Sequence, residues 1–249
     1  MIPLRDSIPS RRTPVVCYAV VFLCTLAFLA QMMLDRPEQS VAELLGMVPV
    51  RVSHPDRTIV VKRPEPVRTT TGIRFRTVSH ALPSAPIPEW ATLLTCMFLH
   101  GGWMHFLGNM WFLYIFGDNV EDRFGHIGFT MLYLGTGVAA GLAHLLTDID
   151  SPIPTIGASG AIAGVMGAYA FLYPHARVLA VLPLFVIFPT FVLPAPVFLG
   201  IWFLMQTVSG LGSITSGATG GVAWWAHIGG FVAGALIAVA VGRNDHSTE

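Results

Sequence analysis

The tetrapeptide Gly157-Ala158-Ser159-Gly160 stands at the head of an apolar segment that runs to about Tyr173. Gly164 follows Gly160 at the Gly-x-x-x-Gly spacing, and small residues at this spacing commonly mark the surface where two membrane helices touch. A serine among these glycines is therefore either a helix-packing residue or a nucleophile. The remainder of the chain has to decide between the two.

The composition of the chain indicates an integral membrane protein. Of its 249 residues, 53% are hydrophobic and only 11% are charged, and the mean hydropathy is +0.65. An average soluble protein carries roughly 25% charged residues. The formal net charge is zero, so nothing indicates nucleic acid as a partner. The three cysteines, Cys17, Cys24 and Cys96, form no pattern typical of a disulfide framework or a zinc site.

The apolar runs predict an all-α membrane protein with six transmembrane helices, because each crossing needs about 20 apolar residues. Three arginines precede the first apolar run, and Lys and Arg favour the cytoplasmic side of a membrane. We therefore expect residues 1–14 to form a cytoplasmic N-terminal tail and residues 15–34 to form the first span. Residues 91–242 then hold five further spans, and residues 243–249 form a second cytoplasmic tail, in a multi-pass protein of the cell (inner) membrane.

Within residues 91–242 the spans are separated by polar turns and proline-rich stretches. We expect a tight charged turn on the cytoplasmic side over residues 118–126. Four prolines should break residues 178–196 into an irregular apolar hairpin near the inner face. The uncharged residues 209–221 predict a mobile outside loop, which with the fifth span could form a gate. The expected spans are 104–117, 127–146, a fourth that begins at Ser159, 197–208 and 222–241.

Residues 35–90 differ in character, since they are polar and rich in proline. Their stretches 58–62 and 73–78 alternate apolar and polar residues, which predicts one or two short hairpin strands. The arginines here run against the tendency of positive charge to stay inside, but that tendency weakens in long loops. We expect a long extracytoplasmic loop, and whether a partner docks on it is left open.

His227 changes the interpretation of Ser159. It lies in the last apolar run beside glycines and alanines, and an ionisable residue inside the membrane marks function by default. Glycines on both helices allow a close backbone approach. A hydroxyl and an imidazole need such an approach to come within hydrogen-bond reach, about 2.6–3.2 Å. Both residues fall near the outer ends of their spans, so we expect them to meet.

His105 and Asn109 are four residues apart at the start of the second span, so both project from one helix face. A ring N–H and an amide are suitable donors to an oxyanion, together with the backbone N–H of Ser159. Two alternatives stay open here: hydrogen bonds to neighbouring helices, and a metal site built with His100 and His227. The metal site is disfavoured because the chain has no His-Glu-x-x-His motif and no cysteine pair.

Taken in order along the chain, these motifs resemble those of the rhomboid family of intramembrane serine proteases. The resemblance extends over residues 93–242 and includes Glu121 and Arg123 in the turn after the second span. The motifs that carry it are Gly-x-Ser-Gly at Gly157 to Gly160, His-x-x-x-Asn at His105 and Asn109, and Ala-His-x-x-Gly-x-x-x-Gly from Ala226 to Gly234.

The resemblance implies a role for each site residue. Ser159 is the nucleophile and His227 the general base, and His105 and Asn109 belong to the oxyanion hole. Some bacterial members carry a tyrosine four residues after the serine, packed against the histidine, but this chain has Ala163 there, so another group must orient His227. No cofactor and no metal are expected. The supporting positions are Gly157, Gly160 and His100.

The implied activity is that of an endopeptidase that hydrolyses peptide bonds in or near transmembrane segments of membrane-anchored proteins. It would use a Ser-His dyad toward the extracytoplasmic face, with the lipid bilayer as the other partner. The alternative is a non-catalytic rhomboid-like protein that binds and escorts client helices. A transporter is disfavoured because no acidic residue lies inside an expected span.

Overall fold

The structure, a computed structural model, describes residues 1–36, 39–69, 72–216 and 222–241. Short 3-10 turns at Glu89–Ala91 and Cys96–Phe98 flank the fourth helix. The helices and strands follow in chain order as β1 (Ile2–Asp6), α1 (Val15–Leu34), α2 (Val41–Leu45), α3 (Pro49–Ser53), β2 (Val60–Thr69), β3 (Gly72–Ala81), α4 (Thr92–Thr95), α5 (Trp103–Leu145), α6 (Ser159–Leu172), β4 (Arg177–Val181), β5 (Thr190–Pro194), α7 (Ala195–Ser216) and α8 (Trp224–Val241).

Among the described residues, four helices are long and apolar enough to cross a membrane: α1, α5, α7 and α8. Helix α5 has 43 residues, which at 1.5 Å per residue gives about 65 Å, twice the hydrocarbon thickness of a bilayer. Helix α6 is apolar but has only 14 residues. The chain is therefore a multi-pass membrane protein with a mostly helical fold.

The predicted turn over residues 118–126 is wrong in its extent. Helical hydrogen bonding continues through most of this stretch, and the backbone leaves helical geometry only at Gly125, with φ 68° and ψ 169°. Glycine tolerates a positive φ because it has no Cβ, so the break falls at this residue. The charged side chains before Gly125 are compatible with a helix, and α5 thus consists of two limbs joined at one bent residue.

Helix α6 lies at the centre of the bundle, and its residues from Gly160 to Tyr169 are all buried. Helix α8 packs against it with almost no space between the two backbones. A Cβ placed on Gly234 would lie 1.8 Å from the carbonyl oxygen of Gly164, and one on Gly230 would lie 2.0 Å from that of Gly160. The expected close approach of these two helices is confirmed.

Glu121 ties the start of α1 to α5. Its carboxylate is buried and accepts hydrogen bonds from the backbone N–H groups of Val16 and Cys17, both at 2.8 Å. The first N–H groups of a helix lack partners within the helix, and a negative charge there is stabilising. The Nδ1 atom of His126 lies 2.6 Å from the same carboxylate. One buried acid therefore caps α1 and links it to both limbs of α5.

The expectation of an all-α fold holds only in part, because the described residues are mostly helical but also contain two β-sheets. Residues 1–14 contain strand β1, which pairs antiparallel with β4 in a three-stranded sheet of order β1-β4-β5. Side chains of α5 and α6 hold this strand, because Asn119 and Tyr169 both donate hydrogen bonds to the carboxylate of Asp6. Burial raises the pKa of Asp6. The predicted hairpin over residues 178–196 is present as β4 and β5, and prolines flank its turn.

Residues 35–90 contain the predicted hairpin, formed by β2 and β3, and in addition the short helices α2 and α3. Arg51 of α3 is buried, forms an ion pair with Glu89 at 3.1 Å and donates to three backbone carbonyls. Backbone hydrogen bonds of 3.1 and 2.8 Å join Met47 to Thr155, four residues before Ser159. This segment thus packs against the loop that leads into α6.

Helix α7 continues to Ser216, so the predicted loop over residues 209–221 is wrong up to that residue. Glycine and serine have low helix propensity, but tertiary packing can override it, and a Cβ on Gly210 would lie only 3.3 Å from Trp224 of α8. The remaining part of that prediction, residues 217–221, lies outside the described residues. So do the predicted C-terminal tail, residues 243–249, and the last residue of the predicted core, residue 242.

We predict that Gly234→Ala strongly destabilises the protein, because the new methyl group would meet backbone atoms of α6 that cannot rotate away. Overpacking of this kind costs about 3 kcal/mol. The measurement is the midpoint of thermal unfolding in detergent. Gly135→Ala is the control, since a Cβ at this exposed helical position meets no atom within 4 Å. Equal midpoints for the two variants would contradict the close packing of α6 and α8.

Candidate functional site

Ser159 and His227 are in contact. The serine is the first residue of α6, the histidine lies in the first turn of α8, and the Oγ atom of Ser159 is 2.7 Å from Nε2 of His227. This distance is within the range for a nucleophile and its base. The glycine contacts described above bring the two helices close enough for this hydrogen bond.

A third residue completes the contacts of the imidazole. Nδ1 of His227 lies 2.7 Å from Oε1 of Gln206, which is a buried residue of α7. The ring of Trp202 lies 5.8 Å from the imidazole and is tilted by 38°, while Trp224 meets it edge-on at 6.2 Å. Gln206 was not among the predicted site residues, although a lone amide within an apolar run is the kind of signal that could have identified it.

His105 lies near Ser159 and lines the same cavity. The N–H of Gly101 donates to Nδ1 of His105 at 3.2 Å, so a neutral ring carries its proton on Nε2. A Cβ placed on Gly157 would lie 2.8 Å from this Nε2 atom and 3.5 Å from Oγ of Ser159. The ring N–H and the serine hydroxyl therefore border the same small space above Gly157.

Asn109 is buried and lines the same cavity, but one of its amide N–H groups is in use. It donates to the carbonyl of His105 in its own helix at 2.8 Å. One alternative was that the Asn109 amide bonds to a neighbouring helix. One of its N–H groups is indeed used in a helix hydrogen bond, but the acceptor lies in α5 itself. The second N–H has no partner among the described residues and can act as a donor.

His100 packs against His105, with the two ring centres 5.4 Å apart. Its ring is buried against Phe28 and Phe106, and burial lowers its pKa to about 4, helped by the nearby His105. The ring is therefore neutral at physiological pH. The amide of Gln31 clamps the backbone of His100, accepting from its N–H at 2.9 Å and donating to its carbonyl at 3.2 Å. Helix α1 thereby fixes the entrance to α5.

The N-terminus of α6 adds backbone donors. Ile162 makes the first α-helical hydrogen bond, to the carbonyl of Ala158, and no side chain caps the helix. The N–H groups of the first helical turn have no carbonyl partner within the helix, and the helix dipole makes this end partially positive. The backbone N–H of Ser159 belongs to that turn, so it can serve an anionic oxygen beside the serine.

These groups surround a cavity of about 290 Å³. Apolar side chains make up most of its wall, including Met104, Phe112, Met166 and Trp202. Within the described part of the chain, no group of three or more His, Cys, Asp or Glu residues is placed to hold a metal ion. The polar side chains that line the cavity are those of His105, Asn109, Ser159, Gln206 and His227.

Residues 88–244, more than half of the chain, match the model of the family described as Rhomboid domain. Rhomboid protein 1, mitochondrial, of Saccharomyces cerevisiae is 31% identical over 155 residues, or 58% of this chain and 40% of that protein. The Rhomboid protease GluP of Bacillus subtilis is 38% identical over 84 residues, 34% of this chain and 16% of its own length. Rhomboid-like protein 11, chloroplastic, of Arabidopsis thaliana is 41% identical over 78 residues, covering 31% of this chain and 28% of that protein. The matched segments span less than half the length of each of these relatives.

We predict that Gly157→Ala displaces the ring of His105. Gly157 has a φ of 130°, which other residues rarely adopt, and a Cβ there would lie 2.7 Å from the imidazole. If the ring N–H serves an oxyanion, the rate at which a fluorophosphonate labels Ser159 should fall at least about tenfold. Gly101→Ala is the control, because its Cβ would make only an ordinary contact of 3.6 Å with the same ring. Equal labelling rates for the two variants would contradict this placement of His105.

Proposed function

Since this chain belongs to the rhomboid family, we propose that it is an intramembrane serine endopeptidase acting on membrane-anchored proteins. It would hydrolyse peptide bonds in or near their transmembrane segments. The observation that supports the proposal best is the 2.7 Å contact between Oγ of Ser159 and Nε2 of His227, beside a cavity that carries further polar donors. The protein of Bacillus subtilis named a rhomboid protease supports it from the family side.

In the proposed reaction, Oγ of Ser159 attacks the carbonyl carbon of the substrate while its proton passes to Nε2 of His227. The carbonyl oxygen becomes an oxyanion, which the ring N–H of His105, the free amide N–H of Asn109 and the backbone N–H of Ser159 stabilise. The imidazolium then gives its proton to the leaving amine, and the C–N bond breaks. An acyl-enzyme on Ser159 remains.

Water completes the cycle. His227 removes a proton from a water molecule, the resulting hydroxide attacks the acyl carbon, and the proton returns to Ser159 as the new carboxyl group leaves. No acidic side chain lines the cavity among the described residues, so the reacting unit is a dyad rather than an acid-assisted triad. The ring of His227 begins and ends each half-reaction neutral.

The substrate must expose a carbonyl to this site. A continuous helix hides its carbonyls in its own hydrogen bonds, so a cleavable segment has to unwind locally. The family resemblance implies small residues near the cut and helix-breaking residues beyond it. The apolar wall of the cavity fits such small side chains.

We place the two limbs of α5 and helix α6 in the membrane together with α1, α7 and α8, which makes six crossings. Both termini are then cytoplasmic, residues 35–90 lie outside the cell membrane, and Ser159 opens toward the extracytoplasmic face. Three observations support the count of six crossings: the length of α5, its break at Gly125, and the apolar residues of α6. The orientation rests on the three arginines that precede α1, because Lys and Arg favour the cytoplasmic side.

Fluorophosphonate labelling of the detergent-solubilised protein tests the proposal, with Ser159→Ala and His227→Ala as variants. We expect labelling of the wild type and its loss in both variants, because the hydroxyl is activated by the imidazole. Ser10→Ala is the control, since this exposed serine is not among the residues that line the cavity and its replacement should leave labelling unchanged. Cleavage of a transmembrane reporter in liposomes should follow the same pattern. A folded wild type that neither labels nor cleaves would favour a non-catalytic protein that binds client helices.

A further inference from the structure

Gln206 is an isolated amide in an otherwise apolar part of helix α7. Its side chain is only 8% exposed, and its Oε1 atom lies 2.7 Å from Nδ1 of His227. A buried polar side chain in a membrane-spanning helix is costly unless it is hydrogen-bonded, so a position of this kind calls for a partner. The partner here is the imidazole that also contacts Ser159.

The chemistry of the amide determines which nitrogen of His227 carries the proton. A carbonyl oxygen can only accept a hydrogen bond, so Nδ1 must donate to Oε1 of Gln206. In the neutral ring Nε2 then has a free lone pair and can accept the hydroxyl proton of Ser159. The opposite tautomer would place an N–H against Oγ, and the serine could not pass on its proton.

Gln206 and Trp202 are four residues apart on α7 and reach the same ring. Residues at this spacing lie on one helix face. The amide holds the edge of the imidazole, and the indole packs 5.8 Å from its centre. Ala163 stands where some bacterial members of the family carry a tyrosine. It is fully buried and lines the cavity, but its side chain has no polar group.

We propose that Gln206 is the positioning residue that sets the tautomer and orientation of His227, an inference that rests on the proposed function. A neutral acceptor orients the ring without stabilising the imidazolium as a carboxylate would. That suits a general base that must return its proton in every half-reaction. Helix α7 therefore supplies what Ala163 on α6 does not.

Two substitutions separate positioning from packing. Gln206→Met keeps the length of the side chain but removes the acceptor, and Gln206→Glu keeps the acceptor and adds a charge. Thr207→Val is the matched control, because the hydroxyl of Thr207 bonds only to the carbonyl of Phe203 in its own helix among the described residues. The readouts are kcat and KM for a transmembrane peptide in liposomes, measured across pH, and the thermal midpoint.

We expect Gln206→Met to lower kcat about 100-fold or more at an unchanged KM and with a retained thermal midpoint, because loss of the orienting group leaves the wrong tautomer populated. Gln206→Glu should retain much more of kcat. The acid limb of its kcat–pH profile should move to higher pH. The added carboxylate stabilises the protonated form of His227, and that form cannot accept a proton from Ser159. Thr207→Val should behave as the wild type. A wild-type kcat and pH profile in Gln206→Met would overturn the proposal, and so would equal losses in both Gln206 variants.

A measurement without turnover keeps this inference distinct from the proposed function. Solid-state 15N spectra of histidine-labelled protein, assigned by comparison with His227→Ala, report the tautomer of His227 directly. We expect a proton on Nδ1 in the wild type and a mixture of tautomers in Gln206→Met. If the wild type is inactive but shows this difference, the protease assignment fails and the positioning by Gln206 stands. If the wild type cleaves but Gln206→Met leaves the tautomer unchanged, the protease assignment stands and the positioning role of Gln206 fails.

Discussion

The backbone contact between α6 and α8 is the constraint on which the rest of the site depends. The two helices approach so closely that carbonyl oxygens of α6 occupy the positions where side chains of α8 would begin. A hydroxyl on a short side chain can reach an imidazole on the next helix only at such a separation. The small residues of both helices thus have a chemical purpose as well as a packing one, because they set the distance between Ser159 and His227.

The five polar side chains that line the cavity come from four different helices. The first limb of α5 contributes His105 and Asn109, α6 contributes Ser159, α7 contributes Gln206, and α8 contributes His227. The site therefore exists only when the bundle is fully assembled. The supports behind it are also polar and buried, since Gln31 fixes the entrance to α5 and Glu121 fixes the start of α1. A small set of satisfied polar contacts thereby orders an otherwise apolar protein.

Much of this arrangement could be predicted from the sequence, because it follows from spacing within single helices. The glycine spacing around Ser159 and the position of His227 in an apolar run were enough to predict that they meet. In the sequence Gln206 is visible only as a lone amide in an apolar run, and only the tertiary packing shows that its partner is His227. Strand β1 was missed because Ile2–Asp6 includes proline and charged residues and lacks the alternation typical of a strand. The extension of the two limbs of α5 into residues 118–126 was not predicted, because helical hydrogen bonds need no apolar side chains.

The strand order β1-β4-β5 has a consequence for how the protein is made. Asp6 pairs with Val178, roughly 170 positions later in the chain, so β1 cannot pair until that much more of the chain has been synthesised. At a synthesis rate of about 5–20 residues per second, the wait lasts on the order of 10 to 30 seconds. During this time the first helix is already made while the strand before it has no partner. The sheet can form only after the serine helix has emerged from the ribosome, so β1 is made early and becomes ordered late.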